Sequence, residues 1–309
     1  MARYLFHTLD VFTERPFGGN PLAVFPEAAG LGEAQMQAVA RELNLSETVF
    51  VLPPTDPAHT RRLRIFTPGT ELPFAGHPTV GTAHLLAEIG EVPLAGAETR
   101  IVFEEGVGPV PVTIRAAAGR PVFSQLSAAQ PPERGPAAPA ATELAALLSL
   151  EPRDIAAEPA PAAVSCGVPF LFVTLTGLDA LGRARLRRDA WERLLADFWA
   201  PHLYLLAAAG AAGEGPSSTY RARMFAPAMG IDEDPATGAA ATALAGYLVP
   251  LSGQAEGTLR WSVAQGVEMG SPSRMAIEAD LSAGAVTAVR VGGSSVSISQ
   301  GEMEIPEDL

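Results

Sequence analysis

Two segments half a chain apart repeat one unusual pattern. Arg64-Ile-Phe66-Thr-Pro68 leads to Pro78-Thr-Val-Gly81-Thr-Ala83, and Arg223-Met-Phe225-Ala-Pro227 leads to Pro235-Ala-Thr-Gly238-Ala-Ala240. Arg64 and Arg223 stand 159 residues apart, Gly81 and Gly238 157, and Gly106-Val107 and Gly266-Val267 160. One offset held across three marks is the signature of a duplicated domain. Each copy reads as a short strand, an irregular polar loop and a helix opening on small residues. The free N–H groups and positive dipole end of such a helix favour a carboxylate or phosphate. Gly76, Pro78 and Gly81 in one copy, and Ala236, Gly238 and Ala239 in the other, let a ligand come close to backbone. Proline near a helix start sacrifices no needed hydrogen bond. Either copy alone reads as an ordinary helix cap; the duplication, with polar residues just before both helices, points to an anion-binding site.

Composition limits the chemistry. Among 309 residues the net charge is −13, which argues against nucleic acid and anionic membrane surfaces as partners. Positive potential for an anionic ligand must come from backbone N–H groups and a few arginines. All 21 basic residues are Arg, so Schiff-base chemistry, a pyridoxal-phosphate lysine and a P-loop lysine are excluded. Cys166 is the single cysteine, which removes disulfides, Cys-rich zinc sites and a two-thiol racemase. His77 and His84 lie two turns apart on one expected helix, about 10 Å along its axis, too far to share a metal. No His-Glu-x-x-His, Gly-x-Ser-x-Gly or Gly-x-Gly-x-x-Gly pattern occurs in a fitting context. The reading is a protein without metal or organic cofactor. No apolar run reaches the roughly 18 residues of a membrane span, and the first ten residues flow into a strand pattern rather than a signal peptide. A soluble, cytoplasmic protein is expected.

Periodicity gives an α+β order. Strands are expected at Leu5–Phe12, Leu22–Phe25, Thr48–Leu52, Leu63–Phe66, Arg100–Glu104 and Val110–Arg115, with helices at Gly32–Leu43 and Pro78–Ile89. Ala128–Ala141, rich in Pro and Gly, reads as the inter-domain connection. The second half follows with strands at Val168–Leu175, Leu203–Ala207, Tyr220–Phe225, Leu259–Ala264, Arg274–Glu278, Val286–Val291 and Val296–Gln300. Its helices are expected at Asp189–Trp199 and Ala236–Leu248, the latter too apolar all round for a surface helix. The expected domains are 1–127 and 128–295, with 296–309 packing back on the first. Each is a barrel-like, mostly antiparallel sheet wrapped around a central helix.

Asn44-Leu-Ser-Glu47-Thr-Val-Phe-Val51, Leu72-Pro-Phe-Ala-Gly-His77-Pro-Thr-Val-Gly81-Thr-Ala83, Glu233-Asp234-Pro-Ala-Thr-Gly238 and Gln265-Gly-Val-Glu-Met-Gly270, together with Phe17-Gly-Gly-Asn20-Pro21, closely resemble the phenazine-biosynthesis PhzF-like isomerase family. Five motifs in order cover essentially the whole chain. The resemblance implies a fold like that of diaminopimelate epimerase, with two pseudo-symmetric halves, and a homodimer. It also implies the chemistry: isomerisation of trans-2,3-dihydro-3-hydroxyanthranilate, in which one Glu takes a proton from one carbon and returns it to another.

The position matching that Glu is Glu47. A carboxylate serves when both of its protonation states are reachable near neutral pH. His77 and Asp234 match the two other polar residues that the family places around the ligand, as hydrogen-bond partners or secondary proton carriers. Gly76 and Gly238 are expected to offer backbone N–H groups to a substrate carboxylate, as the anion-site reading requires; Asn20 and Ser46 are further binding candidates. One departure stands out. The phenazine-forming enzymes carry Gly-Ser where this chain has Gly238-Ala239, so a hydroxyl is lost, and a missing polar group can change substrate choice by orders of magnitude. Three readings remain: a one-base isomerase of a small carboxylated substrate, an amino-acid-type racemase or epimerase, and a ligand- or protein-binding module without turnover.

Overall fold

The computed structural model describes residues 2–210 and 219–307. The chain divides into two compact units, Met1–Ala129 with Gly292–Leu309, and Gln130–Val291.

The first unit runs β1 (Ala2–Val11), β2 (Asn20–Phe25), α1 (Glu33–Leu43), β3 (Glu47–Leu52), β4 (Arg61–Phe66), β5 (Glu71–Leu72), α2 (Gly76–Glu88), β6 (Glu98–Glu105), β7 (Gly108–Ala117) and β8 (Arg120–Ser127), and adds the C-terminal strand Ser295–Ile305. That last strand pairs antiparallel with β1, and β1 with β2. β2 and β3 then run parallel, β3 and β4 antiparallel, β4 and β6 parallel, and β6, β7 and β8 antiparallel. Inside this sheet lies α2, buried from Gly76 to Ala87 and packed on β1, β2, β3, β7 and β8. A helix enclosed on all sides carries small and apolar side chains around its whole circumference, here interrupted by His77, Thr79, Thr82 and His84. Gly81 makes the fit possible. A Cβ there would stand 2.6 Å from Val11 Cγ2 and 2.7 Å from Leu22 Cδ2. The short helix α1 covers the outside, burying Met36, Val39 and Ala40 against Phe25, Phe50 and Phe66. Each fully buried side chain of this size stabilises the unit by roughly 1.5–3 kcal/mol.

The second unit runs β9 (Glu133–Arg134), α3 (Ala141–Leu147), β10 (Ala162–Ser165), β11 (Pro169–Thr174), α4 (Leu178–Arg183), α5 (Arg188–Leu194), β12 (His202–Ala208), β13 (Thr219–Ala226), β14 (Ile231–Asp234), α6 (Gly238–Ser252), β15 (Gly257–Gln265), β16 (Ser273–Ser282) and β17 (Ala285–Gly293). The pairing sequence of the first unit returns: β10 and β11 antiparallel, β11 and β12 parallel, β12 and β13 antiparallel, β13 and β15 parallel, β15 and β16 antiparallel. α6 is the buried central helix, against β10, β11 and β16. What differs is an outer layer of α3, α4 and α5 over Leu171, Leu203, Leu205 and Phe225.

The duplication extends to register. Glu47 pairs with Leu22 across the parallel step, and Thr48 with Phe66 across the antiparallel one. His202 pairs with Phe170, and Leu203 with Phe225, in the same two steps. Glu47 and His202 therefore occupy one topological position.

The central helices start and end somewhat differently from the periodicity, at Gly76–Glu88 and Gly238–Ser252. The helix expected at Asp189–Trp199 stops at Leu194. There the Trp191 indole donates to the Pro201 carbonyl at 2.9 Å, and the chain turns toward β12. β8 and α3 were not marked by periodicity at all.

Candidate active site

The first unit brings three of the sequence candidates together. Gly19 has φ +67°, and a Cβ there would strike the Val11 carbonyl at 2.2 Å, so only glycine lets the chain turn back at this point. The turn delivers Asn20, fully buried, as the first residue of β2. Just upstream, the Phe17 N–H donates to Asp10 Oδ2 at 2.6 Å, fixing the loop that precedes Asn20. Burial raises the Asp10 carboxyl above its ordinary value, and that N–H bond opposes the rise. Glu47 opens β3 beside Leu22, after a half-buried bend at Ser46 that follows the left-handed cap of α1 at Asn44. Gly76 and His77 form the first turn of α2 beyond its N-cap, Ala75.

In that arrangement Asn20 Nδ2 lies 3.3 Å from His77 Nδ1, and His77 Nε2 lies 3.2 Å from Glu47 Oε2. The latter contact is within bonding range but off the line of a well-formed hydrogen bond; catalytic bonds commonly align only on substrate. Burial holds the His77 imidazole far below its ordinary value, down to about 3, so the ring is neutral. An amide NH₂ can only donate, so Nδ1 is the acceptor and the single ring proton sits on Nε2, facing Glu47. The His77 ring therefore offers an N–H to the Glu47 carboxylate.

The second unit places Asp234 at the end of β14, with Gly238 and Ala239 in the first turn of α6. Asp234 is buried, and the Thr237 hydroxyl donates to its Oδ2 at 2.5 Å. Gln265, at the end of β15, ties the segment down. Its Nε2 donates to the Asp234 carbonyl at 2.7 Å and to Thr237 Oγ1 at 3.0 Å, while its Oε1 accepts from the Tyr204 hydroxyl at 3.0 Å and the Thr237 N–H at 3.3 Å. Burial, and secondarily the charge of Asp234, push the Tyr204 phenol up, so it stays a donor. Ala239 is half-buried, and its carbonyl accepts from the Thr242 hydroxyl at 2.7 Å. Sequence reasoning passed over Tyr204 and gave no role to Thr237 and Gln265, although both lie within the family motifs. The repeat had marked the Gly266 next to Gln265 without reaching it.

A family model described as phenazine biosynthesis-like protein, PhzC-PhzF, matches residues 9–301. The chain belongs to the PhzC-PhzF family. Among its curated relatives, an uncharacterized isomerase of Mesorhizobium japonicum is 39% identical over 302 residues, spanning 96% of this chain and 97% of that one. The trans-2,3-dihydro-3-hydroxyanthranilate isomerase of Pseudomonas aeruginosa is 38% identical over 309 residues, spanning 97% and 99%. A solved PhzF-family structure from Bacillus anthracis superposes with a TM-score of 0.86 at 25% identity, covering 99% of this chain and all of that one. A probable proline racemase from Agrobacterium radiobacter shares the fold at 12% identity, with a TM-score of 0.64. The PhzC-PhzF chain is accordingly an isomerase on an epimerase-like α+β fold. Among the described residues no helix is long and apolar enough to cross a membrane.

Proposed function

We propose that this protein isomerises a small carboxylated substrate by moving one proton between two carbons, with Glu47 as the acid/base and no cofactor. The observation that carries the reading is the Asn20–His77–Glu47 chain, a carboxylate next to a neutral imidazole whose tautomer is fixed. Glu47 takes the proton from a substrate carbon, the electron pair moves into the adjoining π system, and the same carboxyl returns the proton to another carbon, so the step balances without a co-reactant. His77, by donating from Nε2, steadies the anionic form of Glu47 while the transferred proton is on the substrate. In the first unit Gly76 offers its backbone N–H to the substrate carboxylate, with Asn20 and Ser46 as further binding residues; in the second unit Asp234, Gly238 and Ala239 are the corresponding polar and backbone candidates.

The 38% relative named for trans-2,3-dihydro-3-hydroxyanthranilate supports a cyclic, amino-bearing acid as the substrate class. The working unit in this reading is a homodimer, which light scattering at micromolar concentration tests: a clean monomer contradicts it. The reaction is tested by turnover in D₂O. A one-base shuttle retains part of the substrate proton and places label at the second carbon. Label appearing only at the original carbon identifies a racemase instead, and no exchange at all with any carboxylated candidate overturns the isomerase reading.

A further inference from the structure

Glu105 ends β6 as Gln265 ends β15; each is followed by Gly-Val, 160 residues apart. Register agrees, since β6 pairs in parallel with β4 and β15 with β13. Each side chain meets a threonine hydroxyl near the start of its central helix, though not at the same helix position: Glu105 Oε1 lies 2.7 Å from Thr79 in the first turn of α2, and Gln265 Nε2 lies 3.0 Å from Thr237 at the N-cap of α6.

Thr79 Oγ1 is also 2.8 Å from the Ala75 carbonyl. A hydroxyl has one proton and a carbonyl can only accept. The Ala75 carbonyl also accepts the Thr79 N–H at 3.3 Å, and the hydroxyl can bond to Ala75 and Glu105 at the same time, each with its own proton, only when the carboxyl supplies the second one. The second unit shows a comparable relay with a fixed donor, ending on a side chain instead of a backbone carbonyl: the Gln265 amide donates to the Thr237 oxygen, and the Thr237 hydroxyl donates on to the Asp234 carboxylate. Glu105 is buried, and its Oε2 has no hydrogen-bond partner, an arrangement costly for an anion.

We infer that Glu105 works as a neutral, proton-donating acid, a positioning residue that does with an O–H what Gln265 does with an N–H, and that it thereby sets the peptide between Ala75 and Gly76. In a trans peptide the C=O and N–H point in opposite directions. Locking the Ala75 carbonyl onto Thr79 turns the Gly76 N–H the other way, away from the helix interior. The role of that N–H in holding a substrate carboxylate rests on the isomerase reading; the protonation of Glu105 does not.

Burial is the main cause that lifts Glu105 to about 8, with the Thr79 hydroxyl opposing it. The charges on neighbouring elements are engaged elsewhere. On β4, Arg61 bonds to Glu91 and Arg64 to Glu71 and Glu33, while Arg62 lies beside Glu104 on the alternate strand face. On β6, Glu104 holds His59; on β7, Arg115 faces Glu98; on α2, burial keeps His77 and His84 neutral. An acid whose folded value exceeds its unfolded one stabilises the fold at low pH, and that contribution drains away as pH rises from about 4.5 to about 8.

The test compares wild type with Glu105→Gln. The melting temperature of wild type should fall relative to E105Q by at least about 3 °C between pH 5 and pH 8, and the infrared spectrum at pH 7 should show a protonated carboxylic acid band that E105Q lacks. Parallel melting curves, or no such band, overturn the inference. Thr79→Val, which removes the relay but not the acid, should raise KM for a carboxylated substrate about tenfold while E105Q does not; equal KM in both overturns the positioning role. The melting and infrared readouts need no substrate, so their failure sinks the Glu105 assignment alone. Absence of turnover in every variant sinks the isomerase reading alone.

Discussion

Asn20 holds its amide nitrogen 3.3 Å from His77 Nδ1 and so places the imidazole proton on the nitrogen that faces Glu47. The first expected outcome follows from that orientation. Asn20→Asp sets an acceptor against Nδ1, which draws the proton to that side and leaves Nε2 as a lone pair pointed at a carboxylate. Turnover should fall by about 10²-fold, within the range attributed to a misplaced acid–base group, with the circular dichroism spectrum unchanged. Steady-state kinetics near wild-type values in N20D would remove His77 from the mechanism.

Glu47→Gln keeps the size of the side chain and deletes the proton carrier. The rate should drop by roughly 10² to 10⁴, and label exchange from D₂O should stop with it. If E47Q still exchanges substrate protons at the wild-type rate, another group is the base.

Ala239 stands where the phenazine-forming enzymes carry Ser. A hydroxyl restored there should contribute about 0.5–1.5 kcal/mol to a bound carboxylate, so Ala239→Ser should raise kcat/KM on the dihydro-hydroxyanthranilate several-fold. Robust wild-type turnover, unchanged or lowered by the added hydroxyl, shows instead that Ala239 is neutral for this substrate.

His202, the topological counterpart of Glu47, is buried beside Phe170, and its Nδ1 lacks a hydrogen-bond partner. Burial holds it down at about 4. A histidine with a depressed folded value stabilises above its unfolded value of about 6.5, and the contribution is lost as pH falls toward about 4. The stake is at most about 3 kcal/mol. His202→Phe, which keeps the ring packing, should therefore lose less melting temperature than wild type between pH 6.5 and pH 4. Superimposable acid limbs in the two proteins would rule His202 out as the titrating group.

The duplicated framework was legible because a strand, a loop and a helix start recur at nearly constant spacing, as Arg64/Arg223 and Gly81/Gly238 do, and the two copies fold into matching pairing sequences. Glu47 was legible only through the family motif: a lone acid at a strand start carries no pattern of its own. Thr79 with Glu105, and Thr237 with Gln265, escaped because each pair closes across 26 or 28 residues of chain and depends on which face of a strand meets a helix turn. The early end of α5 escaped for a similar reason, since the bond from Trp191 to the Pro201 carbonyl is a tertiary one that helix periodicity does not register.

Leu22 is paired in register with Glu47, and its Cδ2 also sits 2.7 Å from where any side chain on Gly81 would begin. The strand that carries Glu47 and the helix that carries His77 thus share a single datum. Over evolutionary time positions 11, 22 and 81 cannot drift independently: a methyl group gained at 81 demands shorter side chains at 11 and 22, or Glu47 and His77 come apart. Homologues carrying Ala at 81 are expected to carry Val or smaller at 22 and a residue smaller than Val at 11, a joint signature that would record the spacing of Glu47 and His77 in sequences where none of the three touches the substrate.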